Sequence, residues 1–433
     1  MRQNQAKGMS LILVFTFPIL GLFSAIRHLR WAEKKVIIVL FTTIYASLLR
    51  YDDAADAARY MEMLFRYDGM SLPTFLDTTV HIMTFDPIYG YANDLYVHSL
   101  SFLNASVLGL HGLFYPMVGF IYGYFYASGM SKILVWDKGK KLTFSVLFII
   151  MLFIIHRSVT NLQTVRTWTG LWILFNGVVG YHQTKNRKYI FLMMVAPLIH
   201  FAYFVMALPA FAALFYKRIP KKLIIGLYAI SFFTTINPGG VINSAEDNAL
   251  AKEKVRSYYR ENQYGEGVDP IMERRKITTS VWYAKYGQTD AVYYGGHAFA
   301  LFLILGGFFA KRMTDLEVAL FTTGIMTATL ANFGGFAYAF YSRTMANAVI
   351  YILATVALMA IRGAFSKDAM PMPRFMNMIK WICMLIFIPK IVYFLADFIG
   401  RTSIFITGMP FLGWINQDLN VSIREFIGDI FNL

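Results

Sequence analysis

The chain has 433 residues, 57% of them hydrophobic and 15% charged, and its 40 Lys and Arg against 25 Asp and Glu leave a net charge of +15. So small a charged fraction excludes an ordinary soluble domain, and a basic excess in so apolar a chain belongs in cytoplasmic loops rather than on a nucleic-acid surface. One cysteine, Cys383, excludes an internal disulfide, and no Cys/His spacing suits a zinc site.

The expected fold class is therefore all-α: a polytopic integral membrane helical bundle, with residues 1–433 forming a single membrane domain. The apolar run from Ser10 to Ala25 lacks a small-x-small cleavage site, and a second run follows at once, so it reads as a retained helix rather than a signal peptide. About twelve transmembrane helices are predicted, over 9–26, 35–49, 111–129, 142–156, 160–181, 189–199, 201–216, 223–236, 292–310, 317–335, 344–361 and 378–396. The stretch 189–216 is too long for one span and contains Pro197, His200 and Pro209. Two short helices meeting near His200 account for both facts, since proline breaks the helical hydrogen-bond ladder.

Lys and Arg then fix the orientation. Arg27 to Lys35, Lys132 to Lys141, Lys185 to Lys188, Lys217 to Lys222, Lys311 with Arg312, and Arg362 to Lys380 fall in alternate loops, provided that 189–216 crosses twice. These loops are expected in the cytoplasm. Both termini, an outer-face segment 50–110, an outer-face loop 237–291 and an amphipathic interfacial tail 400–433 are expected on the other side. The first outer segment is acidic, with Asp52, Asp53, Asp56, Glu62, Asp68, Asp77, Asp86 and Asp94 against Arg50, Arg59 and Arg66.

Four arginines lie where the positive-inside rule disfavours them: Arg50 after the second span, Arg157 and Arg166 around the turn "HRSVTNLQTVRTW", and Arg343 in "YSRTM". Any one of them is equally readable as a side chain snorkelling to the interface. Together they favour an anionic ligand, because guanidinium groups bind phosphate oxygens in a bidentate way. Asp56, Arg59 and Tyr60 share a helix face, so Asp56 is either a base or simply an i,i+3 partner of Arg59, and Tyr60 a platform for a sugar ring. Of His98, His156, His200 and His297, His200 is the candidate base, because a helix broken at an ionisable residue marks a site in membrane proteins. There is no phosphate-binding glycine loop and no zinc-protease motif, so an enzyme here draws its energy from a substrate already activated in the membrane.

These segments resemble the bacterial Wzy-type polysaccharide polymerases, which make O-antigen, capsule and exopolysaccharide, particularly their EpsG-like branch. That branch carries an Arg, a Gly-x-Asp and a Tyr after its second span. "LLRYDDAADAARY" places Arg50, Asp56 and Tyr60 in that register, with Ala54 where the family has glycine. Arg166, the basic turn Lys185 to Lys188 and His200 follow the family's second signature, with Thr167 where glutamine is usual, and Arg343 matches its late arginine. The resemblance implies a lipid-dependent, GT-C-like glycosyltransferase in the bacterial inner membrane, active on the periplasmic or outer face. It would transfer a growing glycan from undecaprenyl pyrophosphate to a sugar hydroxyl of a new lipid-linked repeat. Arg166 and Arg343, with Arg50 or Arg157, would hold the pyrophosphate, and His200 or Asp56 would be the base. No cofactor or metal is expected. Membrane lipids, a flippase and a chain-length regulator are the expected partners, and nucleic acid is not. The alternatives are a polysaccharide or lipid transporter or flippase, an O-antigen ligase and a membrane acyltransferase.

Overall fold

The computed structural model describes residues 3–50, 56–86, 88, 90–135, 142–234, 281–335, 337–365, 374–416 and 419–431. The described chain is helical, with no strand among the described residues beyond an isolated bridge between Ser403 and Ser422. Most of the predicted loop 237–291, with its basic cluster Arg274 to Lys276, lies outside the described residues, as do Asp52, Asp53 and Ala54. Four helical stretches are long and apolar enough to cross a membrane: Phe144–Thr164, Asp315–Phe333, Tyr338–Ile361 and Phe375–Arg401.

The predicted first span is a hairpin. Helix α1 (Gln3–Thr16) stops at Phe17, and α2 (Pro18–His28) folds back along it. Residues fourteen apart in a continuous helix are separated by about 21 Å, yet Ser10 Oγ and Ser24 Oγ lie 2.8 Å apart. Gly21 permits this approach, because a Cβ there would stand 2.5 Å from the Val14 backbone nitrogen. The hairpin returns the N-terminus to the end at which α3 (Trp31–Ser47) begins, where Gln3 Nε2 donates to the Glu33 carboxylate at 3.2 Å. The expectation that both termini share the end away from the basic loops is thus corrected. Only the C-terminal tail lies there, with Trp414 Nε1 donating to Ser47 Oγ (2.8 Å) and Met409 N to the Thr16 carbonyl (2.6 Å).

Beyond α3 the polar segment forms α4 (Asp56–Leu64), α5 (Leu72–Met83) and α6 (Leu95–Ser101). One face of α5 exposes Leu72, Leu76, Val80 and Met83, while Phe75 on the other stacks on His98 and Phe102. Helix α7 (Phe114–Ile133) returns alongside α3 through a small-xxx-small pair, Gly119 and Gly123. A Cβ on Gly119 would meet both Ala46 Cβ and the Thr42 carbonyl at 2.5 Å.

Next come α8 (Phe144–His156), α9 (Arg166–Thr184) and α10 (Lys188–Ile199). The carbonyls that end α8 have no helical partners. Tyr122 Oη donates to the Arg157 and Ser158 carbonyls (2.7 and 2.8 Å), and Trp172 Nε1 to that of Arg157 (3.2 Å). This seals the turn on which Arg157 sits. Helix α10, containing Pro197, stops where predicted: His200 is extended (φ −154°), and the chain turns into the short helices Tyr203–Met206 and Leu208–Ala212. Helices α11 (Lys221–Ile230) and α12 (Ala291–Leu305) flank the undescribed segment.

Helix α13 (Asp315–Phe333) opens on a reciprocal cap between Thr314 and Glu317. Helix α14 (Tyr338–Ile361) carries Ser342, Arg343 and Asn347 in its first half, is apolar all round beyond them, and is enclosed over almost the whole of its apolar stretch, as such a pattern requires. Helices α15 (Arg374–Leu385) and α16 (Ile388–Arg401) lead to the tail helix α17 (Ile423–Phe431), which exposes Phe426, Ile427, Ile430 and Phe431 as the amphipathic pattern predicts.

Side-chain contacts gather the basic loops at one end. Trp31 Nε1 donates to the Leu134 carbonyl, and Gln183 Nε2 to that of Lys132. His182 meets Tyr216, Lys217 pairs with Asp315 at 2.6 Å, Lys221 donates to the Phe309 carbonyl, and Arg362 reaches Glu317 at 2.7 Å.

Candidate functional site

The end opposite the basic loops holds most of the residues singled out in the sequence, in two neighbouring groups and two outliers. The first group forms around Asp94, which precedes α6 and would ordinarily cap it. Its carboxylate makes no capping bond and turns to tertiary partners instead. Oδ1 accepts from the backbone N–H of Phe201 (2.8 Å) and lies 3.4 Å from His200 Nδ1, while Oδ2 pairs with Arg166. The break after α10 makes this possible by freeing the Phe201 N–H and projecting His200 inward. Arg166 is the first residue of α9, and a cation there opposes the helix dipole, which the Asp94 carboxylate offsets. Val165 before it holds φ +21°, an uncommon conformation for a β-branched residue. Burial alone would raise the Asp94 carboxyl, but the Arg166 guanidinium and His200 outweigh it and hold Asp94 well below the usual carboxylate range. Tyr60 joins this group, its ring centre 6.0 Å from the Arg166 guanidinium.

His200 is 4% exposed, and its Nε2 has no hydrogen-bond partner among the described residues. With Nδ1–H directed at Asp94, Nε2 is the nitrogen that carries a lone pair.

The second group lines a cavity of about 240 Å³ in which Arg157, Arg343, Lys390 and Arg401 converge with polar and aromatic side chains including Asn161 and Tyr341. The volume is below the ~300–1,000 Å³ of clefts that enclose drug-sized ligands, so it suits a headgroup-sized piece of a larger molecule. The Arg157 guanidinium lies 3.8 Å over the Trp168 ring centre, and its Nε is buried without a hydrogen-bond partner among the described residues. Lys390, 4% exposed, lies 5.0 Å from the Tyr393 ring centre. Arg401 pairs with Asp397 at 3.0 Å, whereas neither Arg157 nor Lys390 has a carboxylate within ion-pair distance among the described residues. Asp397 is one carboxylate against the four basic side chains Arg157, Arg343, Lys390 and Arg401, so the cavity keeps an excess of positive charge that suits an anion. Helix α9 joins the two groups, its first turn carrying both Arg166 and the cavity residue Trp168.

Two residues stand apart. Asp56 faces solvent and pairs with Arg59 at 3.6 Å, the local pairing that the spacing also allowed, so its role as a base finds no support in its surroundings. Arg50 lines a different, larger groove and pairs with Glu425 at 3.4 Å. The other three candidate histidines are held by hydrogen bonds within the bundle: His98 to Tyr67, His156 to the Ala346 carbonyl and His297 to Tyr228.

Sequence reasoning missed Asp94, Lys390, Arg401 and Trp168. Lys390 had a signal, a charge inside the apolar run "IFIPKIVYF". Asp94 had none beyond its place in an acidic segment. Among the described residues, no group of three or more His, Cys, Asp or Glu side chains could hold a metal ion. No family model, curated protein or solved structure matches the chain.

Proposed function

We propose that the chain is a lipid-dependent glycan polymerase of the Wzy type. In this reading it is a GT-C-like enzyme with about twelve crossings, lying in the bacterial inner membrane with its site facing the periplasm or outside. The observation that carries the proposal is the convergence of Arg157, Arg343, Lys390 and Arg401 on one cavity at the end away from the basic loops.

The pyrophosphate of an undecaprenyl-linked glycan sits among these cations. Arginine forks bind its oxygens, and they stabilise the charge that develops as the bond from the anomeric carbon to the phosphate oxygen breaks. Trp168 and the cavity tyrosines offer faces to the sugar rings. A hydroxyl of the incoming lipid-linked repeat attacks the anomeric carbon and gives its proton to His200 Nε2, while Asp94 steadies Nδ1–H and the imidazolium that forms. Lipid pyrophosphate leaves, and the chain is longer by one repeat. The energy is that of the glycosyl–phosphate bond, so no nucleotide is consumed. A flippase supplying repeats and a chain-length regulator are the partners this reaction calls for.

The test is polymerisation of lipid-linked repeats by detergent-purified protein without added nucleotide. The wild type yields a ladder of products, and Arg157→Ala or Arg343→Ala lowers the rate about 10²–10³-fold, the loss expected for a group that stabilises transition-state charge. Cells lacking the protein keep single lipid-linked repeats; polymer of normal length in such cells sinks the proposal.

A further inference from the structure

The groove that holds Arg50 is separate from the cavity above and has a volume of about 710 Å³, within the range of sites that bury a whole small ligand. It is graded in polarity. One wall is apolar, formed by Leu40 and Ile44 of α3 and by Pro116 of α7. The other end carries Arg50, His111 and Trp414, where α3 finishes and the tail folds over it. Trp414 is 47% exposed, as an indole at the membrane interface is expected to be.

The charges at that end are mixed. Arg50 faces Glu425 at 3.4 Å, with both side chains well exposed, and His111 Nε2 meets Asp68 Oδ1 at 2.6 Å. An exposed pair at that distance is weak and exchanges readily for a better partner. Glu425 takes both Arg50 and the Ser422 N–H on Oε2, and its side chain is about half exposed. Arg50 and His111 belong to the groove lining, and their carboxylate partners Glu425 and Asp68 stand just outside it, so a purely anionic headgroup on Arg50 would have Glu425 beside it. A zwitterion satisfies both signs, its phosphate bidentate on Arg50 and its ammonium on the Glu425 carboxylate at the groove's edge. Free phosphate would leave the apolar wall empty.

We infer that this groove is a binding site for one zwitterionic phospholipid of the phosphoethanolamine class, its acyl chain along Leu40, Ile44 and Pro116 and its headgroup between Arg50 and Glu425. The inference is independent of the glycan reading.

Native mass spectrometry of the full chain, released from nanodiscs of phosphatidylethanolamine, phosphatidylglycerol and phosphatidylcholine with identical acyl chains, decides it. The wild type retains one phosphatidylethanolamine at least threefold over either other lipid, and millimolar inorganic phosphate does not displace it. Arg50→Gln reduces retention of all three to the level of bulk annular lipid. Glu425→Gln keeps the helix cap, because glutamine also serves at that position, and shifts preference from phosphatidylethanolamine to phosphatidylglycerol. Equal retention of the three lipids by the wild type, or an unchanged preference in Glu425→Gln, overturns the inference even if Arg50→Gln fails to fold.

Discussion

Asp94 shows how much one side chain decides. It is 1% exposed and holds Arg166, itself 29% exposed, together with His200 and the Phe201 N–H. Breaking a buried pair by removing one partner costs about 3–5 kcal/mol, because the other charge stays behind. Asp94→Asn should therefore lower the thermal midpoint of the purified protein clearly and lower the rate of the polymerisation proposed above. Asp56→Asn, which loses only an exposed pair with Arg59, should change stability by less than about 0.5 kcal/mol and leave the rate intact. Equal effects from the two would contradict the placement of both. The pH dependence has a definite sign. The folded Asp94 carboxyl titrates below its unfolded value of about 4, so its contribution is complete above that pH and is lost as pH falls. Wild-type protein should lose more stability between about pH 5 and pH 3 than Asp94→Asn does, measured by thermal unfolding in detergent.

Among elements, the hairpin of α1 and α2 departs most from a hydropathy reading. Its residues are apolar enough for one span, but Pro18 and the small residue Gly21 let the second half lie against the first. Gly21→Val should destabilise the protein by about 1–3 kcal/mol, since its Cβ would meet backbone rather than a movable side chain. Gly8→Ala, with nothing within 4 Å of the added carbon, is the matched control. The break at His200, by contrast, was legible, because Pro197 and an excess of length left a continuous helix no room.

For the whole molecule, the hairpin places the N-terminus and the C-terminal tail at opposite ends. With Cys383 buried as the sole native cysteine, added cysteines report this directly. In right-side-out membrane vesicles, an impermeant maleimide should label Asp429→Cys at once and Asn4→Cys only after permeabilisation. Labelling of both from outside would return the N-terminus to the end first expected. Alternation of the basic loops survives this change at the N-terminus, because two helices that run to the far end and back leave the later helices alternating between the two ends as before.

Composition and the placement of Lys and Arg determined that the chain is helical with apolar stretches long enough to cross a membrane, and that its basic loops share one end, away from Arg157, Arg166, His200 and Arg343. These are properties of single residues and their neighbours in sequence, which hydropathy and loop charge record. Tertiary structure alone decided that Arg166 and His200 meet on Asp94, that Lys390 and Arg401 join Arg157 and Arg343, and that Arg50 belongs to another groove. Asp94 and Arg166 are 72 residues apart, and Arg157 and Lys390 more than two hundred. Only the packing of helices, set by glycine contacts and broken turns, brings such residues to one place.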